Sequence, residues 1–236
     1  MKVSAIVASA GCGKRFKSRI NKAFVCLQNK PIAAFSLKVI AELKSVSEII
    51  FVINKDDYRR AKKLLAEYRV SKPVRIVFGG SQRHLSVYRG LKSVSEEADL
   101  ILVHDAARPL IDKKIVEQAI AQAKRYGAAA IAVPVISTIK QADNRRFVTR
   151  TLPRQALWDI QTPQVFCRKL LLRAYECAEK KNVTDDAMLV ERIGEKVKIV
   201  KGRYSNIKIT TQIDLRIAEE LIKSENSIKL AHGTGI

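Results

Sequence analysis

The chain has 236 residues, 47% of them apolar, and sets 44 Lys and Arg against 23 Asp and Glu for a formal net charge of +21. Length and composition support one large domain, or one domain with a small appendage, with a sizeable core, and exclude wholesale disorder and collagen-like repeats. With no apolar run of the ~18 residues a bilayer requires, a strand-like start at Met1-Lys2-Val3, and Cys12, Cys26, Cys167 and Cys177 at neither metal-site nor C-x-x-C spacing, the expectation is a cytoplasmic chain with reduced thiols and no membrane contact.

In chain order, Lys2 to Ser9 is a short apolar, β-branched run that predicts a strand; a Gly-rich turn follows, then a helix from Pro31 to Val46. The alternation continues with strands at Glu48 to Asn54, Val74 to Phe78, Leu100 to His104 and Ala128 to Val135. Helical stretches at Asp57 to Tyr68, His84 to Ser95 and Lys113 to Tyr126 separate them. Near-continuous apolar strands spaced by helices predict an α/β fold: a Rossmann-like, mostly parallel sheet with helices on both faces.

From Ser137 to Arg154 the sequence turns polar and β-branched, with Asn144 as the turn candidate, and predicts a projecting β-hairpin arm. Helices at Arg168 to Lys181 and Asp185 to Ile193 follow, then a strand near Val197 to Val200, the segment Asn206 to Thr210 and a helix from Gln212 to Lys223. The expected organisation is a single domain over residues 1–226, with the arm at about 137–154 and a tail at 227–236.

The charge is concentrated near the first strand. Lys14, Arg15, Lys17, Arg19 and Lys22 fall within nine residues, and the first acidic residue is Glu42. Neither a basic recognition helix nor interleaved aromatics accompany them, so a small polyphosphate fits better than a nucleic acid. The loop Ser9 to Arg15 fails as a Walker A motif, because Ala8 and Arg15 stand where Gly and Ser or Thr are needed. It also fails as a dinucleotide fingerprint, because Phe16 replaces the third Gly. Two readings remain: small residues that let backbone N–H groups approach phosphate oxygens, or a tight turn with basic surface residues.

Read together, A-x-x-G-x-G-x-R ending at Arg15, Lys22, Gly79-Gly80 with Arg83 and Ser86, His104-Asp105-Ala106-Ala107-Arg108-Pro109, Thr162-Pro163-Gln164, Thr184-Asp185-Asp186 and Asn206-Ile207-Lys208 carry a resemblance. From about Val3 to Ala218 the chain resembles the 2-C-methyl-D-erythritol 4-phosphate cytidylyltransferase family. The resemblance implies transfer of CMP from CTP to methylerythritol phosphate, with release of pyrophosphate, in non-mevalonate isoprenoid synthesis. It assigns Arg15 and Lys22 to catalysis by charge stabilisation, and Ala10, Gly11, Gly13, Gly79, Gly80, Arg83, Ser86, Asp105 and Ala106 to the nucleotide.

Thr138, Arg154, Lys208, Asp105, Arg108 and Thr184 are assigned to positioning the second substrate. The resemblance further implies Mg²⁺ or another divalent cation held mainly by the CTP phosphates, with Asp105 reaching it through water and no protein ligand set, and a homodimer that exchanges arms. Three positions depart from the family: Asn21 stands where Pro is usual, Ser81 where an acidic residue is common and Ser137 where Asp is usual. Bland alternatives accompany several residues: an N-cap for Asp105 and for Thr184-Asp185-Asp186, a turn for Gly79-Gly80, and a satisfied strand-end role for His104. The rival functions are a ribitol-5-phosphate cytidylyltransferase and, more distantly, a basic nucleic-acid-binding protein.

Overall fold

The computed structural model describes residues 1–11, 16 and 20–233, with side chains through Ser224. Strand β1 (Val3–Ser9) opens the chain. A 3-10 turn at Lys22–Phe24 leads to the short pair β2 (Cys26–Leu27) and β3 (Lys30–Pro31). Gln28 and Asn29, with φ of 47° and 63°, supply the left-handed pair that such a tight hairpin requires. Then come α1 (Ile32–Ala41), β4 (Val46–Ile53), α2 (Tyr58–Glu67), β5 (Val74–Phe78), α3 (Arg83–Leu91), β6 (Leu100–Asp105), α4 (Lys113–Tyr126) and β7 (Ala128–Pro134).

The arm carries β8 (Lys140–Ala142) and β9 (Val148–Thr151); β10 (Trp158–Cys167), α5 (Arg168–Cys177), α6 (Asp186–Arg192), β11 (Lys198–Lys201) and α7 (Gln212–Gly233) complete the chain. Among the described residues a seven-stranded sheet runs in the order β11-β7-β10-β6-β1-β4-β5. Every neighbouring pair in it is parallel except the two that β10 makes with β6 and β7.

Alternation along the central strands divides the core between the two faces. Val3, Ala5 and Val7 of β1, with Ile49 and Phe51 of β4, pack against α1, α2 and α4. Ile6, Ile50 and Val52 turn the other way, against α3, α5 and α6. The α4 boundaries follow from its caps: Asp112 accepts from Ile115 N at 3.1 Å, and Gly127, at φ 85°, donates its N–H to Ala123 O. This is the expected Rossmann-like α/β fold with its hairpin.

Several expectations need correction. No strand was expected at β10, which inserts antiparallel between β7 and β6. Its register breaks between Ile160 and Gln164, around Pro163, which has no N–H to give to a ladder. Helix α1 stops at Ala41 rather than Val46, since Leu43 and Val46 are buried by the turn into β4. In the arm, pairing begins at Lys140, and Asp143 organises the turn by accepting from Arg145 N and Phe147 N, both at 2.9 Å. The backbone of α7 continues to Gly233, beyond the expected end at Lys223 and into the segment read as a tail.

Candidate active site

A cleft of about 560 Å³ opens at the carboxyl ends of the central strands. In an open parallel sheet that is where ligands bind, because the loops there diverge to either face. Ala10 and Gly11 follow β1, Asn54 follows β4, Gly80 follows β5, Asp105 ends β6 and Ala106 follows it. Lys22, Arg83, Ser86 and Lys208 also line the cleft. Phe16 is buried with Leu27, Ile32, Ile209 and Ala218, and Gln212 Nε2 donates to its carbonyl, so Phe16 is tied to α7.

Lys22 starts a 3-10 turn, and its Nζ donates to Ile209 O at 2.7 Å. The departure at Asn21 does not leave that turn without an anchor. Asn21 Nδ2 donates to Ser9 O at 2.6 Å and to Asp57 Oδ2 at 2.9 Å, while its Oδ1 accepts from Ala23 N.

On the opposite wall, Gly79 and Gly80 are required by contact. A Cβ at Gly79 would overlap Ala10 Cβ and lie 2.7 Å from Ser86 Oγ; at Gly80 it would lie 2.7 Å from Leu85 Cβ. Gly79 N–H is taken by Ile53 O and Gly80 N–H by Ser86 Oγ, while Gly79 O accepts from Arg89. The N–H groups here are therefore spent inside the protein. Gly80 O accepts one long bond of 3.3 Å from Ser86 and, as a carbonyl with two lone pairs, can take another donor. That chemistry suits an amine edge and not a carbonyl edge. Gly79 backs the cleft wall rather than lining it.

Asp105 is the hub of the site. Its Oδ1 accepts from Arg83 Nε at 3.0 Å and its Oδ2 from Lys208 Nζ at 2.5 Å. Burial alone would raise its pKa, but the two cations outweigh it and hold the carboxyl well below the usual carboxylate range. Arg83 continues inward, where Nη1 donates to Asp186 Oδ2 at 2.8 Å and the phenol of Tyr175 donates to Asp186 Oδ1 at 2.5 Å. Tyr175 stacks on Tyr88 with ring centroids 5.3 Å apart. Burial and the Asp186 carboxylate raise the Tyr175 pKa, keeping the phenol a proton donor.

Behind Asp105, His104 is fully buried and fixed at both ring nitrogens. His104 Nε2 faces the carbonyl of Arg108, which can only accept, so Nε2 carries the proton and the neutral ring's Nδ1 accepts from Thr162 Oγ1, which in turn accepts from Asp105 N. This pattern assigns the neutral Nε2–H tautomer. Burial lowers the imidazole pKa from 6.5 to about 4, in agreement with that assignment.

Arg108 does not line the cleft; its guanidinium donates to Asn206 O at 2.7 Å and so braces the segment that carries Lys208. Thr184 is exposed and outside the cleft, while Asp185 caps α6 by accepting from Met188 N. Thr138 and Arg154 sit exposed at the base of the arm, with Arg154 donating to Ile136 O, and neither reaches the cleft of its own chain. Gly13 and Arg15 lie outside the described residues. The site also contains groups that the sequence reading did not single out: Tyr175 had no local signal, and Asp186 was visible only as half of an acidic pair.

Among the described residues no three His, Cys, Asp or Glu side chains converge to hold a metal ion. The cleft presents cations, a buried carboxylate and close backbone, which can position a phosphate compound and stabilise added negative charge. Placed at the carboxyl edge of a Rossmann-like sheet, that equipment suits an α/β nucleotidyltransferase.

A family model described as 2-C-methyl-D-erythritol 4-phosphate cytidylyltransferase matches residues 3–224, and the chain belongs to that family. The protein of that name from Alkaliphilus oremlandii is 45% identical over 226 residues, spanning 94% of this chain and 96% of the relative. Another, from Caldanaerobacter subterraneus subsp. tengcongensis, is 41% identical, spanning 94% of this chain and all of the relative. The crystal structure of 4-diphosphocytidyl-2C-methyl-D-erythritol synthase from Anaerococcus prevotii matches with a TM-score of 0.84 at 34% identity, covering 94% of this chain and 96% of that one.

Proposed function

We propose that the chain transfers CMP from CTP to 2-C-methyl-D-erythritol 4-phosphate, giving 4-diphosphocytidyl-2-C-methyl-D-erythritol and pyrophosphate in isoprenoid precursor synthesis. The observation that carries this is the Arg83–Asp105–Lys208 triad at the cleft of a chain whose family match runs through all of the site motifs. A phosphate oxygen of the sugar alcohol attacks the α-phosphorus of CTP, the new P–O bond forms, and the bond to the β-phosphate bridging oxygen breaks. No protein nucleophile is needed, so positioning and charge stabilisation supply the catalysis.

Lys22 and Arg15 neutralise charge that grows on the triphosphate, Arg15 being assigned by its place in the family motif. Lys208 offers a point charge to the second phosphate, Asp105 accepts from hydroxyl groups, and Gly80 O receives the cytosine amine. A divalent cation such as Mg²⁺, bound mainly to the CTP phosphates, would supply further charge neutralisation. Asp105 fits contact with it through water, because both of its oxygens already accept from cations.

A homodimer with exchanged arms completes the reading. It is supported by Ile136 and Phe147, each 69% exposed, and Val148, 60% exposed, on an arm whose Thr138 and Arg154 stand away from their own cleft. A cytoplasmic location rests on the free cysteines Cys26, Cys167 and Cys177. No helix among the described residues is long and apolar enough to cross a membrane.

The test is pyrophosphate release with CTP and either methylerythritol 4-phosphate or ribitol 5-phosphate. Preference for the first is expected; a kcat/KM favouring ribitol 5-phosphate would reassign the substrate.

A further inference from the structure

We infer that Asn21 and Asp57 are positioning residues that hold the Lys22 ammonium at the cleft through a brace at the root of its side chain. Lys22 is reached by the residue before it. The Asn21 amide is used at both ends: two donor hydrogens meet Ser9 O and Asp57 Oδ2, at 2.6 and 2.9 Å, and Oδ1 caps Ala23 N at 3.1 Å. Two of these bonds join the Lys22 turn to the end of β1 and to the turn after β4, and the third caps the Lys22 turn itself.

Asp57 bears on this independently. It stands at the N-cap position of α2, where an Asp carboxylate ordinarily accepts from a backbone N–H, yet it makes no cap hydrogen bond. Instead its carboxylate, on a side chain only 6% exposed, is shared between Asn21 and Arg60 Nη1, the latter at 3.2 Å. A carboxylate acceptor makes the bond to Asn21 charge-assisted and therefore stiffer than an amide pair. At the other end, Lys22 Nζ donates to the carbonyl of Ile209 and lies within electrostatic reach of the Asp214 carboxylate, contacts separate from those that fix the root, so the tip can turn to a phosphate oxygen without moving it. Root and tip thus divide the work between fixed placement and exchange with substrate.

The inference rests on the assignment of Lys22 to charge stabilisation, and the experiment separates the two. Steady-state kcat and KM for CTP are measured for Lys22→Ala, Asn21→Ala, Asp57→Asn and the Asn21→Ala/Lys22→Ala double variant, with thermal melts to establish folding. Lys22→Ala is expected to lower kcat on the order of 10²-fold. Asn21→Ala is expected to lower kcat about tenfold with KM changed less than about threefold, since misplacement costs the transition state more than the bound ground state.

In the Lys22→Ala background the Asn21 change is expected to add less than about twofold, because its effect passes through the missing ammonium. A full multiplication of the two losses, or an unchanged kcat in folded Asn21→Ala, overturns the brace. Should Asn21→Ala not fold, Asp57→Asn decides, with about threefold loss of kcat expected and an unchanged kcat overturning the inference. An unchanged kcat in Lys22→Ala overturns the catalytic assignment itself, and the brace with it.

Discussion

Lys208 Nζ donates to Asp105 Oδ2 across 2.5 Å, joining residues 103 positions apart in sequence and fixing the loop after β11 against the end of β6. Asp105 also accepts from Arg83, so one carboxylate separates two cations that would otherwise face each other. Asp105→Asn keeps the shape and removes the shared charge. We expect it to lower the unfolding free energy at pH 7 by about 2–3 kcal/mol, less than for a fully buried pair because Lys208 reaches solvent.

The sign with pH follows from the depressed carboxyl pKa. The native contribution is present above the unfolded value near ~3.9 and is lost as pH falls below it toward the folded value. Urea unfolding at pH 7 and pH 3 checks this: the gap between wild type and Asp105→Asn should narrow at pH 3, and a constant gap would contradict the charge argument.

His104 governs an earlier window. Its folded pKa of about 4 lies below its ordinary 6.5, so between those values the unfolded chain takes up a proton that the native state refuses. Stability from this group is complete above about 6.5 and declines as pH falls to 4, by about 2 kcal/mol at pH 5. His104→Gln is expected to be less stable at pH 7 and to lose less than wild type between pH 7 and pH 5. Equal losses in both proteins would place the titration elsewhere.

At Gly79 the close approach of Ala10 and Ser86 makes the glycine a requirement of shape. Gly79→Ala would push the Ala10 loop or displace the Ser86 hydroxyl that holds Gly80 N–H. The expected outcome is a KM for CTP raised about tenfold or more and a weaker CTP preference over UTP. In the wild type that preference is worth ~1–3 kcal/mol per group left unpaired by the wrong base edge. Competition between CTP and UTP in both proteins measures it; wild-type kcat/KM values equal for the two nucleotides would remove Gly80 O from base recognition.

The sequence exposed what depends on local pattern. β1, β4 and β6 are built on near-continuous apolar runs, so their strand character and burial on both faces could be read directly. β10 could not, since Pro163 interrupts its pairing and three exposed residues begin it. In the site, Lys22, Gly80, Asp105 and Lys208 stand in recognisable motifs and do meet in the cleft. The inward chain from Arg83 through Asp186 to Tyr175 was not legible, because it spans contacts of 103 and 11 residues with no periodic signal. Arg108 shows the converse: a motif residue whose guanidinium turns away from the cleft to hold a backbone carbonyl.

Arm exchange makes the sharpest claim, that Arg154 serves the partner's cleft. Arg15→Ala and Arg154→Ala are each expected to be nearly inactive alone. In a heterodimer of the two, both defects fall in one composite site and the other site is intact. Random exchange of equal amounts makes about half of the dimers mixed, so about a quarter of wild-type activity should return. The measurement is kcat per total chain after mass spectrometry has established subunit exchange. Exposure of Ile136, Phe147 and Val148 predicts in addition that the dimer buries them, read as slowed hydrogen exchange of 136–148 with rising protein concentration. No recovery in a demonstrated heterodimer would mean that Arg154 serves its own chain or that the arm does not cross.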